Sequence, residues 1–286
     1  LDPLLERLTM LENNFTLLLS RAEIEPYASL DDALNAPSRF SRPIDVKMTD
    51  PVVTPKPAKH KHKMPFWRSR IIALYIDWAK TFPVFKKLPH SDKVALITNH
   101  ASSFMIMCET FRTPEHVSDK IVHPDGPYFS RYPPSESLFF KNLSGLTPVM
   151  VAMIDYVMQP FRRLHISTTE FAALQAVMFF DPDTDGLDSA SQRNVAAEQK
   201  KLLTALYRHI CCSYGQTDAS DRFAAILLRI PTIRKVAAKK NESLQIIDMF
   251  NSFSLNSLVK ETALGVKVTD SFAEANVAST ATNGFI

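Results

Sequence analysis

The chain has 286 residues, of which 45% are hydrophobic and 22% charged, which is ordinary composition for one large globular domain with tails. A net charge of +3 is too small to indicate nucleic-acid binding by itself. Three cysteines (Cys108, Cys211 and Cys212) are too few for a disulfide framework, which predicts an intracellular protein. No apolar run reaches the roughly 18 residues of a membrane-spanning helix, so we expect no membrane partner.

The first 65 residues are predicted to hold one helix and a long connector. Leucines and Phe15 recur on one helical stripe of residues 2–20, which predicts an amphipathic helix. Seven prolines in residues 24–65 prevent long helices, so we expect a partly disordered connector with a short turn near residues 30–34. The basic run at residues 56–63 is interpreted as part of a solvated loop.

The remainder is predicted to be helical, because glycines are few and long apolar stretches recur at 3.6-residue spacing. A Pro-Asp-Gly turn predicts a small hairpin within residues 120–133. Residues 265–286 have little to bury and are predicted to be a disordered tail. The predicted helices span residues 66–87 with an interruption near Pro83, 91–112 with Ser91 as N-cap, 146–164, 167–180 with a Ser167–Glu170 capping box, 188–213, 218–253 with Pro231 in the middle, and 255–264.

The sequence contains none of the motifs that indicate an enzyme. It has no phosphate-binding loop, glycine-rich dinucleotide turn, HExxH motif or nucleophile elbow. The eight histidines do not cluster at metal-ligand spacing, and His209 with Cys212 is an isolated pair. We therefore predict that the chain is not an enzyme and holds no metal or cofactor of its own.

Three segments carry the motifs of one protein family. Residues 78–100 read WAKTFPVFKKLPHSDKVALITNH, residues 166–187 read ISTTEFAALQAVMFFDPDTDGL, and residues 222–244 read RFAAILLRIPTIRKVAAKKNESL. In order and spacing they resemble helices 3–5, helix 8 and helix 10 of nuclear hormone receptor ligand-binding domains. The resemblance covers about residues 66–264. It is similar to retinoid X receptor and hepatocyte nuclear factor types, as in a divergent nematode-type supplementary receptor.

The resemblance implies an all-α fold, a three-layer antiparallel helical sandwich with one small β-hairpin. It places helix 1 and the connector in residues 1–65, the core in residues 66–264 and the tail in residues 265–286. The chain opens with Leu1 rather than Met, so we expect a fragment of a longer protein. In the family a DNA-binding domain with zinc lies upstream, so we do not expect this chain alone to bind nucleic acid.

The resemblance also implies a groove that binds a coregulator helix of the LxxLL type. Lys80 matches the family's lysine at the C-terminal end of that helix, and Glu261 matches the glutamate at its N-terminal end. Opposite charges at the two ends complement the helix dipole. Ile76, one turn before Lys80, and Val94 are expected to form the floor of the groove.

A ligand cavity is expected beside the predicted helix 91–112. Arg112 matches the arginine that binds acidic ligands in retinoid X receptor type domains, which implies a fatty-acid-like or other lipophilic ligand. Glu109 lies three positions earlier, and the alternatives are an internal Glu109–Arg112 pair that leaves no free arginine, or an Arg112 that faces solvent. The residues expected to line the cavity are Ala101, Ser102, Met105, Ile106, Glu109 and Arg112.

Two further expectations concern the helix 10 match. Its apolar surface covers more than half its girth, so part of it must face the core. The resemblance implies that the remainder forms a homodimer or heterodimer interface, through a face that includes Leu227, Ile230 and Arg234. Glu170 is expected to form a structural salt bridge with Arg222 or, alternatively, with Arg229.

These features predict the ligand-binding and coregulator-recruiting domain of a nuclear receptor transcription factor. Such a protein acts in the nucleus and regulates transcription by repositioning its last helix. The alternative is a ligand-independent dimerisation scaffold with a filled pocket. A lipid retained by gently extracted protein would discriminate between the two.

Overall fold

The computed structural model describes residues 2–41, 66–123, 128–132, 144–249 and 257–264. The predictions for the connector in residues 42–65, including its basic run, and for the tail in residues 265–286 therefore fall outside the described residues. The Pro-Asp-Gly turn at residues 124–126 also falls outside them.

The described chain is 76% helical, and one two-stranded antiparallel sheet accompanies the helices, so the predicted all-α fold with a small hairpin is confirmed. The strands β1 (Lys120–Val122) and β2 (Tyr128–Ser130) pair with Ile121 opposite Phe129. The helices are α1 (Pro3–Arg21), α2 (Leu30–Asn35), α3 (Phe66–Ala79), α4 (Pro83–Lys87), α5 (His90–Arg112), α6 (Thr147–Met153), α7 (Gln159–Arg163), α8 (Thr168–Phe179), α9 (Ser189–Tyr214), α10 (Gln216–Leu227), α11 (Arg229–Met249) and α12 (Ser257–Val259).

Three short segments extend these helices. A 3₁₀ turn (Ser144–Leu146) precedes α6, and a π-helical segment (Ile154–Met158) joins α6 to α7. A second π-helical segment (Lys260–Leu264) continues α12. The predicted helix 146–164 is therefore present, with one wider turn in its middle.

Helix α5 lies in the middle of the sandwich. It packs against α3 on one side and against α11 and the first π-helical segment on the other, and it also contacts α8 and the segment Lys260–Leu264. Aromatic rings join the layers. The Phe104 ring of α5 lies 4.4 Å from that of Tyr75 and 5.6 Å from that of Phe15 (centroid to centroid), and Trp78 lies 5.2 Å from Phe179 of α8. Such ring pairs add specific geometry to ordinary apolar burial.

The helix that follows Ser167 begins as the sequence predicts. The Ser167 hydroxyl accepts a hydrogen bond from the Glu170 backbone N–H at 3.2 Å, and the Glu170 carboxylate accepts one from the Ser167 N–H at 2.9 Å. This reciprocal capping box satisfies two backbone donors that the first turn leaves unpaired.

The predicted N-cap at Ser91 is wrong. Helix α5 begins one residue earlier, at His90, and Pro89 occupies the N-cap position with extended backbone (ψ 154°) and no side-chain hydrogen bond. Pro89 fixes its own φ and already directs the chain into the first turn, so no side-chain cap at Ser91 is required.

The predicted single helix over residues 218–253 is also wrong, because it breaks at Leu228 into α10 and α11. Pro231 lies in the first turn of α11. Proline has no N–H, and its ring would clash with the carbonyl of Leu227, four residues earlier. A break just before Pro231 removes both conflicts, since the first helical turn needs no donor at that position.

The predicted Glu170 ion pair forms with Arg222 and not with Arg229. Arg222 donates from Nε to one carboxylate oxygen of Glu170 at 2.6 Å and from Nη2 to the other at 2.7 Å. Burial alone would raise the pKa of Glu170, but the hydrogen bonds from Arg222 and from Ser167 hold it below its usual value. The pair joins the beginning of α8 to α10, whereas Arg229 donates to the Ala225 carbonyl.

Candidate functional site

The short helix α2 lies on the body of the domain with one apolar side inward. Leu30 is 5% exposed, Ala33 is fully buried and Leu34 is half-buried, whereas Asp31 and Asp32 are exposed. These three apolar positions follow the i, i+3, i+4 spacing of one helical face. Ser29 caps the helix by accepting a hydrogen bond from the backbone N–H of Asp32 at 3.1 Å.

Lys80 holds the C-terminal end of α2. Its Nζ donates to the carbonyl oxygens of Ala33 at 2.6 Å and Ala36 at 2.7 Å. The Ala33 carbonyl would normally accept from the backbone N–H four residues later, but that residue is Pro37, which has none. The lysine therefore supplies a donor that the helix itself lacks, and its positive charge faces the negative end of the helix dipole.

Glu261 holds the opposite end. Its Oε2 accepts a hydrogen bond from the backbone N–H of Leu30 at 2.7 Å, in the first turn of α2. A second contact lies beside it, since the Ser257 hydroxyl donates to the Ala28 carbonyl at 3.0 Å. A carboxylate at the N-terminus and an ammonium group at the C-terminus complement the dipole of one helix, as the sequence predicted for these two residues toward a partner helix.

A fully buried carboxylate on α3 holds both flanks of α2 in place. Oδ1 of Asp77 accepts from the Tyr27 hydroxyl at 2.6 Å and lies 2.8 Å from Lys80 Nζ, and Oδ2 accepts from Arg39 at 3.1 Å. Burial lowers the pKa of Lys80, and the neighbouring Asp77 opposes that shift. Tyr27 precedes α2 and Arg39 follows it, so one side chain fastens the segments on either side of the helix.

The other two predicted groove residues differ in exposure. Ile76 is fully buried one turn before Lys80, and Val94 of α5 is half-buried. Beyond the C-terminal end of α2 a cavity of about 490 Å³ opens. Leu34, Lys80, Phe85 and Lys93 are among the residues that line it. The surface around Lys80 therefore extends past the region that α2 covers.

The residues predicted to line a ligand cavity lie where α5 faces its neighbours in the interior. Ala101, Ser102, Met105, Ile106 and Glu109 are all buried. The Ser102 hydroxyl donates to the Asn241 side-chain carbonyl of α11. Glu109 and Lys240 of α11 are both buried, with Oε1 and Nζ 4.0 Å apart. At that distance the two charges attract each other, but they do not form a direct hydrogen bond.

Arg112 does not pair with Glu109, so the internal pair considered from the sequence is wrong. It forms an ion pair with Glu12 of α1, and its guanidinium carbon lies 4.8 Å from the centroid of the Phe15 ring. Both charged side chains are nearly inaccessible, at 7% and 2% exposure. A neutralised arginine offers little to an acidic ligand, so the structure does not support Arg112 as the polar end of a ligand site.

Comparison with known proteins decides the family. A sequence model of the ligand-binding domain of nuclear hormone receptors matches residues 49–250. The chain belongs to this family. Its members are transcription factors that act as receptors rather than enzymes.

Relatives of the chain include proteins of a nematode and of vertebrates. The nuclear hormone receptor family member nhr-47 of Caenorhabditis elegans is 41% identical over 93% of this chain and 71% of its own length. Family member nhr-10 of the same organism is 34% identical over 71% of this chain and 50% of its own length. Hepatocyte nuclear factor 4-alpha of Xenopus laevis is 27% identical over 68% and 39%. The chain thus spans about half the length of several relatives.

The nuclear receptor domain contains buried charges that the sequence did not single out. Lys240 is fully buried beside Glu109, and Arg68 of α3 and His123 are buried near enough to lower the pKa of that carboxyl. The signal for Lys240 was its spacing, because it follows Ile233, Val236 and Ala237 on the core-facing stripe of α11. A lysine on such a stripe is rare unless it has a function or a charged partner.

Burial lowers the pKa of Lys240 to about 7, against the opposing attraction of Glu109. The pKa of His123 falls to about 4, again mainly because of burial. Burial would raise the pKa of Glu109, but the charges of Lys240 and Arg68 hold it below its usual value. The interior of the receptor domain therefore contains the ionised carboxylate of Glu109 and the amine of Lys240, and the charge of the lysine changes near neutral pH.

The expected dimer face is partly accessible. Leu227 and Ile230 are half-buried against the core, and Leu228 between α10 and α11 is 62% exposed. Arg234 lies on the accessible side of α11 and donates to Asp181 Oδ2 at 2.5 Å.

No described helix is both long and apolar enough to cross a membrane, and no three described His, Cys, Asp or Glu side chains are grouped to hold a metal.

The buried lysine gives the domain a pH-dependent stability. Between its folded pKa of about 7 and the ordinary value of 10.5, the unfolded chain binds more protons at this residue. We therefore expect the free energy of unfolding to rise with pH in this window, by up to about 1.4 kcal/mol per pH unit from this group. Lys240→Met should remove that rise, whereas the exposed neighbour variant Lys239→Met should retain it. Urea unfolding at several pH values measures the difference, and equal slopes in all three proteins would contradict the prediction.

Proposed function

We propose that this chain is the ligand-binding and coregulator-recruiting domain of a nuclear receptor transcription factor. Its coregulator site is the groove between Lys80 and Glu261. One observation carries the proposal: these two side chains bind opposite ends of a single short helix, α2, with the charges that the helix dipole requires. A partner helix of similar length would find the same donor and acceptor.

The groove is coupled to the last segment that the structure describes, residues 257–264. Leu258 and Val259 of α12 are buried, and Glu261 follows them within one turn. If this segment moves away, the groove loses its carboxylate while Lys80 remains in the turn that follows α3. Repositioning of this segment would therefore change coregulator affinity, which is how we propose that the receptor regulates transcription in the nucleus.

A lipophilic ligand is proposed to bind between α3, α5 and α11, with its polar end at the Glu109–Lys240 pair. Ala101, Met105 and Ile106 supply apolar surface on the same helix as Glu109. The Lys240 ammonium and both Glu109 oxygens have no hydrogen-bond partner among the residues that the structure describes. Buried charges in this condition favour a ligand group that can accept from one and donate to the other.

Mass spectrometry of gently extracted protein tests the ligand proposal. We expect the wild-type domain to retain a lipophilic molecule, and Lys240→Met to retain markedly less because it removes a polar contact. Lys239→Met is the matched control, since it removes an exposed charge one residue away. A wild-type domain without any retained molecule would support the alternative, a ligand-independent dimerisation scaffold with a filled pocket.

The groove is tested with a synthetic peptide that carries one LxxLL motif. Because α2 occupies the same contacts, affinities are compared in a Leu30→Asp background, in which α2 no longer buries its first leucine. Adding Lys80→Met or Glu261→Ala should weaken binding by about 1–3 kcal/mol each, since each removes a charged hydrogen bond at a helix end. Fluorescence titration measures the affinities, and thermal melts confirm that each variant folds.

The control for the groove is Lys87→Ala, which removes an exposed lysine of α4 that contacts neither end of α2. It should bind the peptide as tightly as the Leu30→Asp chain does. Unchanged peptide affinity in both Lys80→Met and Glu261→Ala would overturn the assignment of the groove. The same conclusion would follow if the Leu30→Asp chain did not bind the peptide at all.

Dimerisation is proposed through the face formed by Leu227, Leu228, Ile230 and Arg234. A charge at Leu228 would be desolvated in the interface but tolerated in the monomer, because Leu228 is 62% exposed. We expect Leu228→Glu to shift the mass measured by sedimentation toward the monomer. Tyr156→Glu, at another exposed apolar site, is the control and should leave the mass unchanged. A dimer that persists in Leu228→Glu would place the interface elsewhere.

A further inference from the structure

We propose that α2 is a built-in competitor for the coregulator groove. In this structure the chain's own residues Leu30–Asn35 lie between Lys80 and Glu261, so a partner helix binds only after α2 leaves. The inference rests on the proposed function of the groove and adds its regulation. Nothing in the family match alone requires a helix of the connector to occupy this position.

The sequence of α2 imitates the motif that the groove is proposed to bind. Residues 30–34 read LDDAL, which is the LxxLL pattern with alanine in place of its second leucine. Leu30 and Ala33 are buried, Leu34 is half-buried, and the two aspartates between them face solvent. The apolar positions, the solvent-facing positions and both charged caps therefore match those of a bound coregulator helix.

The contacts of α2 with the groove are weaker than those of a full LxxLL helix, so a partner helix can displace it. Ala33 offers less apolar surface than the leucine of a full motif, so a partner gains burial that α2 forgoes. A helix of six residues is also too short to persist in water without tertiary contacts. A longer partner helix gains additional surface at Phe85, Lys86 and Lys93, which line the cavity beyond Asn35 on the body of the domain.

The small contact area of α2 is offset by its covalent connection to the domain, which keeps it close to the groove. It is joined to α1 by the short segment of residues 22–29, and its flanks bind Asp77 through Tyr27 and Arg39. A tethered segment competes at an effective concentration in the millimolar range, far above that of a free partner. The apparent affinity of the groove for a partner equals its intrinsic affinity multiplied by the fraction of molecules in which α2 is undocked.

The experiment compares LxxLL peptide affinity in the wild-type chain with that in Leu30→Asp. The substitution removes a buried leucine and places a second carboxylate beside Glu261, so α2 should leave the groove. We expect the affinity for the peptide to rise at least about tenfold. Leu17→Asp makes the same chemical change at an exposed position of α1, 42% exposed, and should leave the affinity unchanged. Leu34→Asp serves as a second releasing variant if thermal melts show that Leu30→Asp is unfolded.

A second arm adds a synthetic peptide of residues 26–39 to the Leu30→Asp chain. This peptide should bind and displace the LxxLL peptide, whereas the same peptide carrying the Leu30→Asp change should not. Equal LxxLL affinity in the wild type and Leu30→Asp, with both binding, would overturn the competitor while leaving the groove intact. Failure of both chains to bind would overturn the proposed groove itself.

Discussion

The buried carboxylate of Asp77 is the constraint on which this surface depends. A carboxylate without solvent is unfavourable unless charged or polar donors surround it, and here it has a phenol, a guanidinium and an ammonium group. Two of these donors come from the segments beside α2, and the third is Lys80. By collecting them, Asp77 fixes the lysine with its ammonium group toward the C-terminal end of α2. Removal of this one side chain would take away the acceptor that all three groups share.

Other buried ion pairs join helices that are distant in sequence. Glu12 and Arg112 connect α1 with α5, Glu109 and Lys240 connect α5 with α11, and Glu170 and Arg222 connect α8 with α10. Buried pairs contribute little net stability compared with apolar contacts of the same size, but a missing partner is costly. We therefore interpret them as determinants of how the helices align, since apolar packing alone tolerates small shifts of one helix against another.

The sequence predicted what depends on local spacing. Helical periodicity, the Ser167–Glu170 capping box and the family motifs placed most helices. They also selected the Glu170–Arg222 pair, and Lys80 and Glu261, which in the structure bind the two ends of α2. It did not predict contacts that depend on packing. Glu109 was considered for Arg112 because it lies three positions away on the same helix, whereas the true partner, Glu12, comes from 100 residues earlier in the chain. Local spacing contains no information about such a partner.

Two other features were missed for different reasons. Lys240 was visible as a charged residue on an apolar stripe, but its neighbour Glu109 was assigned to another pair. The LDDAL segment lies among prolines, and only a short turn was predicted there because proline limits helix length. That limit holds, since α2 ends just before Pro37. Even a helix of this limited length, about one and a half turns, places Leu30, Ala33 and Leu34 on one face.

Pro37 has a geometric consequence for this segment. Because Lys80 is the donor to the Ala33 carbonyl among the described residues, the last turn of α2 is complete only while the helix is docked. Once undocked, the six residues have little to keep them helical. The maximum distance that they can bridge then increases from about 9 Å as a helix to about 20 Å as an extended chain. That slack lets the segment bow outward while Tyr27 and Arg39 stay on Asp77. Opening the groove therefore requires only a loop to lengthen between two fixed points, without any displacement of the helices beneath it.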